Sequence, residues 1–201
     1  MPQETKRTIP SDLIEATAFE LMRRAAIEIP EDFRLGVEAM VDTEAEDLSR
    51  FVLESMVENW HAAEEDRRAM CADTGLPRYY VKAGNEAVIG GGFVALERAL
   101  RRATARATHE IPLRPNRVHP LSRADHNNNV GINAPEIEFS FEPDADWLDI
   151  TTVHKGGLFG TDYRMLFPGD GKDGIKRFFL DTMMQFGRRG LACQPAIVGI
   201  G

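Results

Sequence analysis

Hydrophobic residues in the first seventy positions recur every three or four residues, which is the spacing of amphipathic helices. One such run covers about 11–29, and a second covers about 31–40. A third helix is predicted to begin at a capping box made by Thr43 and Glu46 and to continue to about Ala63. This part of the chain is therefore predicted to be helical.

After the helical part, the hydrophobic runs become shorter and mixed. Residues 79–81 and 87–89 are typical of short strands, and the glycines at 90–92 precede a strong helical pattern over 93–109. The segment 111–135 contains four prolines and is predicted to be a long loop, either ordered or disordered. Because long loops are uncommon inside compact domains and are often functional, this loop is a candidate site.

Two further runs alternate between apolar and polar residues, as half-buried strands do. They cover 136–141 and 147–153 and are predicted to form an antiparallel hairpin. In the first run the alternation places Ile137, Phe139 and Phe141 on the same face, which is predicted to point inward.

The rest of the chain continues with a glycine-rich turn at 155–160, a predicted helix at about 173–186 and an apolar strand at 196–200. Helices come first and mixed elements follow, so the fold class is predicted to be α+β, with a mixed, partly antiparallel sheet and packed helices. We predict an N-terminal helical region at 1–70 and an α+β region at 71–201, together forming one continuous domain.

Composition and charge narrow the class of protein. The chain has 201 residues, 43% of them hydrophobic and 28% charged, as in ordinary globular proteins. With 24 basic and 32 acidic residues its formal net charge is −8, which argues against general nucleic-acid binding. It has no apolar run long enough to cross a bilayer and no signal-peptide pattern, so we expect it to be cytoplasmic.

The two cysteines, Cys71 and Cys193, are too few for a disulfide framework. They are either inert core residues or ligands to a bound group. A mononuclear zinc site is a weaker alternative because two cysteines would need histidine partners, and no histidine lies at zinc-finger spacing.

Three short segments carry candidate chemistry. The turn at 71–75 brings a thiol, the carboxylate of Asp73 and backbone N–H groups close together. The loop at 114–123 carries three arginines, whose planar guanidinium groups bind carboxylates well. The glycine-rich turn at 155–160 suits close approach to a small anion. Each segment also has an ordinary structural interpretation: a buried Cys with an Asx turn, surface ion pairs, and a simple turn.

From about Val57 to Gly201 the chain resembles the iron–sulfur hydro-lyases, the family of class I fumarases and L(+)-tartrate dehydratases, in the region of their α subunit. The resemblance rests on motifs in a specific order and spacing. They are Cys-Ala-Asp-Thr-Gly at 71–75, Leu113-Arg114, Pro120-Leu121, Asn-Val-Gly-Ile-Asn-Ala-Pro at 129–135, Lys-Gly-Gly at 155–157, Cys193-Gln194-Pro195 and Val-Gly-Ile-Gly at 198–201.

This resemblance implies a [4Fe–4S] cluster held by three cysteines, with one iron left open as a Lewis acid. Cys71 and Cys193 match the first two ligands. The third cysteine and the proton-abstracting residue belong to family regions outside this sequence. We therefore expect a fragment or an incomplete subunit, in which this chain alone holds no stable cluster and is inactive.

The resemblance also implies a substrate site for a small dicarboxylate. Asp73 matches a residue that contacts the substrate beside the cluster, and Arg114 matches a residue that pairs with a substrate carboxylate. Gly156 and Gly157 match a turn that offers backbone N–H groups. A β subunit or a fused C-terminal domain is implied as partner, within a homo- or hetero-oligomer.

Three positions depart from the usual family pattern. Ala72 stands where Gln is usual, Leu158 where a third Gly is usual, and Gln194 where Pro is common. Since two of these positions belong to the implied substrate pocket, tartrate or a related hydroxy acid fits as well as fumarate. The alternative function is a non-catalytic relative or assembly subunit whose two cysteines are core residues.

Overall fold

The structure is a computed structural model that describes residues 7–156, 161–190, 196 and 198–200. The chain separates into two compact units, Met1–Lys155 and Gly156–Gly201. In the described ranges, no helix combines the length and the apolar character that crossing a bilayer requires.

The first unit holds four helices and five strands within its described residues. In chain order they are β1 (Thr8–Ile9), α1 (Ser11–Ile27), α2 (Glu31–Thr43), α3 (Asp47–Asp66), β2 (Leu76–Gly84), β3 (Val88–Ile89), α4 (Gly92–Glu110), β4 (Glu136–Glu142) and β5 (Leu148–Lys155). The described part of the second unit holds a 3-10 helix (Pro168–Asp170) and α5 (Gly171–Arg188).

The core of the first unit forms where α1, α4 and β2 meet. Fully buried residues from all three elements belong to one hydrophobic cluster, among them Met22 of α1, Leu100 of α4 and Tyr79 of β2. Several of the buried positions on α1 and α4 are alanines, such as Ala18 and Ala99, whose small side chains allow the helices to pack closely. The periodicity that predicted these two helices therefore reflects real burial.

The main sheet has the strand order β4-β2-β5, with β2 parallel to β4 and antiparallel to β5. The mixed sheet and the α+β class are thus confirmed. The predicted hairpin between β4 and β5 is wrong, because β2 lies between them. Alternation along a strand reveals which residues share a face, but it carries no information about which strand is the neighbour. The parallel β2–β4 pair is instead joined by the long connection that contains α4.

A close backbone approach allows the short link between β4 and β5 to pass the end of β2. The N–H of Gly84 donates to the carbonyl of Trp147 at 2.9 Å, and the N–H of Glu86 donates to the carbonyl of Ala145 at 2.8 Å. A Cβ atom built on Gly84 would lie 2.3 Å from the Ala145 carbonyl oxygen. Only glycine fits at this crossing.

The inward orientation predicted for the β4 phenylalanines is also wrong. Phe139 and Phe141 remain exposed, and Phe141 keeps 64% of its surface accessible. Both rings meet Phe93 edge to face, with centroids 5.7 and 6.1 Å apart. In the described sheet β4 is an edge strand, so its side chains have a partner on one side only.

The third helix begins later than predicted, at Asp47, and the capping box is wrong. Thr43 is the last residue of α2, and its hydroxyl donates to the carbonyls of Ala39 and Met40 within that helix, at 3.0 and 3.3 Å. A threonine hydroxyl that binds backward in this way is not available to cap the next helix.

The hydrophobic residues that recur along α3 at positions 48, 52, 56, 60 and 63 are buried only in the C-terminal half of the helix. Trp60 and Ala63 are buried in the C-terminal half. Near the N-terminal end, Leu48 and Phe51 keep 76% and 64% of their surface exposed. Amphipathic spacing therefore predicted the helix correctly but overestimated how much of it is buried.

The second unit is described mainly by α5, which begins at Gly171, two residues before the predicted start. It follows the 3-10 turn, in which the Asp170 side chain accepts the backbone N–H of Phe167 at 2.7 Å. The strand predicted at 196–200 is absent at residues 196 and 198–200, which carry no strand pairing in the structure. The division of the chain into regions 1–70 and 71–201 stays a prediction.

Candidate functional site

The segment 71–75 and Arg114 lie together, as the family motifs imply. The segment leads into β2, whereas Arg114 follows the end of α4. The Arg114 Nη1 atom lies 3.4 Å from Oδ1 of Asp73, and their side chains are 59% and 35% exposed. The two groups form an ion pair that faces solvent.

Backbone and side-chain hydrogen bonds fix this contact more firmly than the ion pair does. The N–H of Arg114 donates to Oγ1 of Thr74 at 2.8 Å. The side-chain amide of Asn116 donates to Oδ1 of Asp73 at 3.2 Å and to the carbonyl of Gly75 at 3.0 Å. Thr74 was part of the quoted motif, whereas nothing in the sequence singles out Asn116.

A buried asparagine lies directly behind these residues. The side-chain oxygen of Asn129 accepts the N–H of Asn116 at 2.8 Å. Its side-chain nitrogen donates to the carbonyl of Arg114 at 3.0 Å and to Oγ1 of Thr108 at 3.2 Å. Asn129 is 1% exposed, so it supports the site from below and does not line its surface.

The remaining part of the loop is held by arginines. Arg117 donates to the carbonyl of Ile132 at 2.5 Å. Arg101 of α4 donates to the carbonyls of Gly131 and Ala134 at 2.8 and 3.0 Å, a role that no sequence pattern indicates. The loop at 111–135 is therefore ordered by many specific hydrogen bonds.

Cys71 is a free and exposed thiol two positions before Asp73. The alternative in which this cysteine is an inert core residue is therefore wrong. Within the described ranges, no group of three or more His, Cys, Asp and Glu side chains comes together to hold a metal ion. Cys193 and Gly157 lie outside the described residues, and Gly156 is an exposed residue of the second unit.

Burial shifts the pKa of two groups on the main sheet, Tyr79 of β2 and His154 of β5. Burial raises the pKa of the Tyr79 hydroxyl, which contacts Oγ1 of Thr104 at 3.1 Å. Burial also lowers the pKa of His154, whose Nε2 lies 3.0 Å from the carbonyl of Met22. Both pKa shifts favour the uncharged form of the side chain at neutral pH.

The arrangement supplies three chemical capabilities at one surface. Arg114 offers a planar fork for a carboxylate. Asp73 uses Oδ1 for both of its contacts, and Oδ2 has no hydrogen-bond partner among the described residues, so it is available to accept a proton from a ligand hydroxyl. Cys71 offers a sulfur ligand of the kind that binds iron. Such a set suits a small hydroxy acid next to a metal centre.

Comparison with known sequences shows the family of the chain. The sequence model of the family described as "Fumarate hydratase (Fumerase)" matches residues 15–201. The family resemblance that the motifs predicted is therefore confirmed by a match over most of the chain. The chain belongs to the fumarate hydratase (fumerase) family.

Several relatives are similar to this chain over almost its whole length. A Methanocaldococcus jannaschii protein named for the alpha subunit of L(+)-tartrate dehydratase is 36% identical over 193 residues, covering 94% of this chain and 66% of its own length. L(+)-tartrate dehydratase alpha subunits of Escherichia coli and Shigella boydii are 26% identical over 204 residues, covering 100% of this chain and 65% of their length. The chain thus spans about two thirds of these relatives.

Proposed function

We propose that this chain belongs to a hydro-lyase that reversibly dehydrates a small hydroxy-dicarboxylic acid, either malate to fumarate or L(+)-tartrate to oxaloacetate. The observation that carries the proposal is the contact between Asp73 and Arg114 beside the exposed thiol of Cys71. Family membership and the names of the relatives support the same reaction class.

Arg114 binds a carboxylate of the substrate in this proposal. Its backbone N–H donates to Thr74, while its side chain is 59% exposed and has, among the described residues, only the 3.4 Å ion pair with Asp73. Exposed ion pairs of this length contribute little free energy, so a dicarboxylate can compete for the guanidinium. In an acidic chain, such a local cation is needed to attract an anionic substrate.

Asp73 orients the hydroxyl that leaves or adds. Asn116 and Arg114 both contact Oδ1, which fixes the carboxylate and directs Oδ2 to the ligand. A carboxylate held in this way accepts a hydrogen bond from the substrate hydroxyl. We assign the proton-abstracting residue to a region outside this sequence, as the family resemblance implies.

The family resemblance implies a [4Fe–4S] cluster, and Cys71 fits it as one ligand because its thiol is exposed beside the candidate site. Cys71 and Cys193 would hold the cluster, together with a third cysteine from outside this sequence. When bound, the cluster supplies an open iron that acts as a Lewis acid.

Two further components complete the proposal. Gly156 and Gly157 offer backbone N–H groups to the substrate. A β subunit or fused C-terminal domain supplies the missing residues, in an oligomer. In the alternative function, a non-catalytic relative, the exposed thiol of Cys71 has no task, so the structure gives this alternative no support.

The test uses the complete protein with its partner, prepared and reconstituted anaerobically. We expect about four irons and four sulfides per α chain. We also expect turnover of at least one acid among malate, fumarate and the two tartrate enantiomers, and the preferred acid identifies the substrate. A reconstituted protein with no iron–sulfur absorbance and no dicarboxylate binding would overturn the proposal.

A further inference from the structure

We infer that Asn129 is a positioning residue, which holds Arg114 and Asn116 in the orientation that the Asp73 site requires. This inference rests on the proposed function for its consequence in catalysis. The hydrogen bonds that carry it are independent of that function.

Asn129 and Thr74 together satisfy the backbone donors of the segment 114–116. The N–H of Arg114 donates to Thr74, and the N–H of Asn116 donates to Asn129. Pro115 has no N–H, so no donor of this segment is left over. Asn129 also binds the segment as a donor, since its side-chain nitrogen donates to the Arg114 carbonyl. A single side chain therefore binds the segment at both of its ends.

Asn129 is also hydrogen-bonded to α4, which has more buried residues than any other described helix. The remaining N–H of the Asn129 amide donates to Oγ1 of Thr108, which is 4% exposed. The Thr108 hydroxyl in turn donates to the carbonyls of Thr104 and Asn128, at 2.8 and 3.2 Å. Hydrogen bonds through Thr108 and Asn129 thus fix the Arg114 backbone relative to α4.

Asn129 is also connected, through Asn116, to the carboxylate of Asp73. Asn116, whose backbone Asn129 holds, donates through its side chain to Oδ1 of Asp73. Asn129 therefore acts on both candidate substrate contacts, Arg114 and Asp73, without reaching the surface. Because the amide uses both of its N–H donors and its oxygen acceptor, no other side chain of the same size reproduces the set.

The backbone of Asn129 explains why asparagine in particular is suited to this place. Its φ angle is 56°, in the left-handed region that asparagine adopts more readily than most residues. Asn127 provides a matched control, because its φ angle is 55° and its side chain is exposed. A substitution at either position must adopt the same left-handed backbone conformation. Only a substitution at position 129 also changes the hydrogen bonds to the segment 114–116.

The test compares Asn129→Asp with Asn127→Asp. Aspartate keeps the acceptor for the Asn116 N–H but places an oxygen against the Arg114 carbonyl, where the native nitrogen donates. In the complete protein with its partner, we expect Asn129→Asp to raise KM for malate or L(+)-tartrate about tenfold, with a smaller change in kcat. Asn127→Asp leaves both values as in the parent protein.

Hydrogen exchange of the 201-residue chain supplies a second readout that needs no activity. We expect the Asn116 and Arg114 amides to exchange at least about tenfold faster in Asn129→Asp, with amides in the middle of α4 unchanged. A folded Asn129→Asp protein with parental KM and parental exchange at these amides overturns the inference. If the parent protein turns over none of the acids, the proposed function fails, and exchange alone decides whether Asn129 positions the segment.

Discussion

The loop at 111–135 is irregular but held in place by many contacts. The helices α2 and α3 are regular but contribute few residues to the core. The loop has no helix and no extended strand, yet Asn129 and Leu113 are buried and many hydrogen bonds connect it to α4 and to the turn before β2. The two helices are regular throughout, yet the buried hydrophobic residues they contribute are few. Burial and hydrogen bonds to polar groups fix the position of a chain segment. Regular secondary structure alone does not fix it.

We expect the largest loss of stability from a substitution at a buried residue of the helical pair α2–α3. Trp60 is 7% exposed near the C-terminal end of α3. We expect Trp60→Ala to lower the free energy of unfolding by about 3–5 kcal/mol, because a large buried ring is lost. Urea unfolding followed by circular dichroism measures this change. A loss below about 1 kcal/mol would mean that α3 contributes no more burial at Trp60 than at its exposed end.

The next effect concerns the connection between the loop and α4. Thr108→Val preserves the shape of the side chain and removes the hydroxyl that accepts from Asn129. Because a buried donor is left without its partner, we expect a loss of about 1–3 kcal/mol in urea unfolding. Thr161→Val, at an exposed position, serves as the control. Equal stability of both variants with the parent chain would show that the loop does not depend on this bond.

The smallest effect is expected at the exposed end of α3. Phe51→Ser removes an aromatic ring that already lies largely in solvent. We expect the free energy of unfolding to change by less than about 0.5 kcal/mol, as for most surface substitutions. A loss comparable to that of Trp60→Ala in the same assay would show that the N-terminal half of α3 is buried in solution, which would erase the contrast between the two regions.

Local patterns predicted much of the fold because burial leaves a periodic trace in the sequence. The helices α1 and α4 were predicted in this way, and each of them buries one face in the core of the first unit. The pairing of β4 with β5 was predicted wrongly because alternation does not identify the neighbouring strand. The capping box predicted at Thr43 is wrong because a threonine hydroxyl can bind either the helix before it or the helix after it. The sequence looks the same in both cases.

The candidate site could be predicted only in part. Asp73 and Arg114 were connected by family motifs, since side chains forty positions apart leave no local signal of contact. Asn129 was present in a quoted motif, but its role was missed because a buried asparagine and an exposed loop asparagine look alike in sequence. Its function depends on the burial and the partners that the fold creates.

The most direct test of the account concerns Arg114 in the complete protein with its partner. Arg114→Lys keeps the positive charge and removes the planar fork, while Arg123→Lys makes the same change at an exposed arginine of the same loop. The measurement is KM for the acid that the parent protein turns over best. We predict that KM rises about tenfold for Arg114→Lys and stays at the parental value for Arg123→Lys. A parental KM in both variants would contradict the assignment of Arg114 to the substrate site.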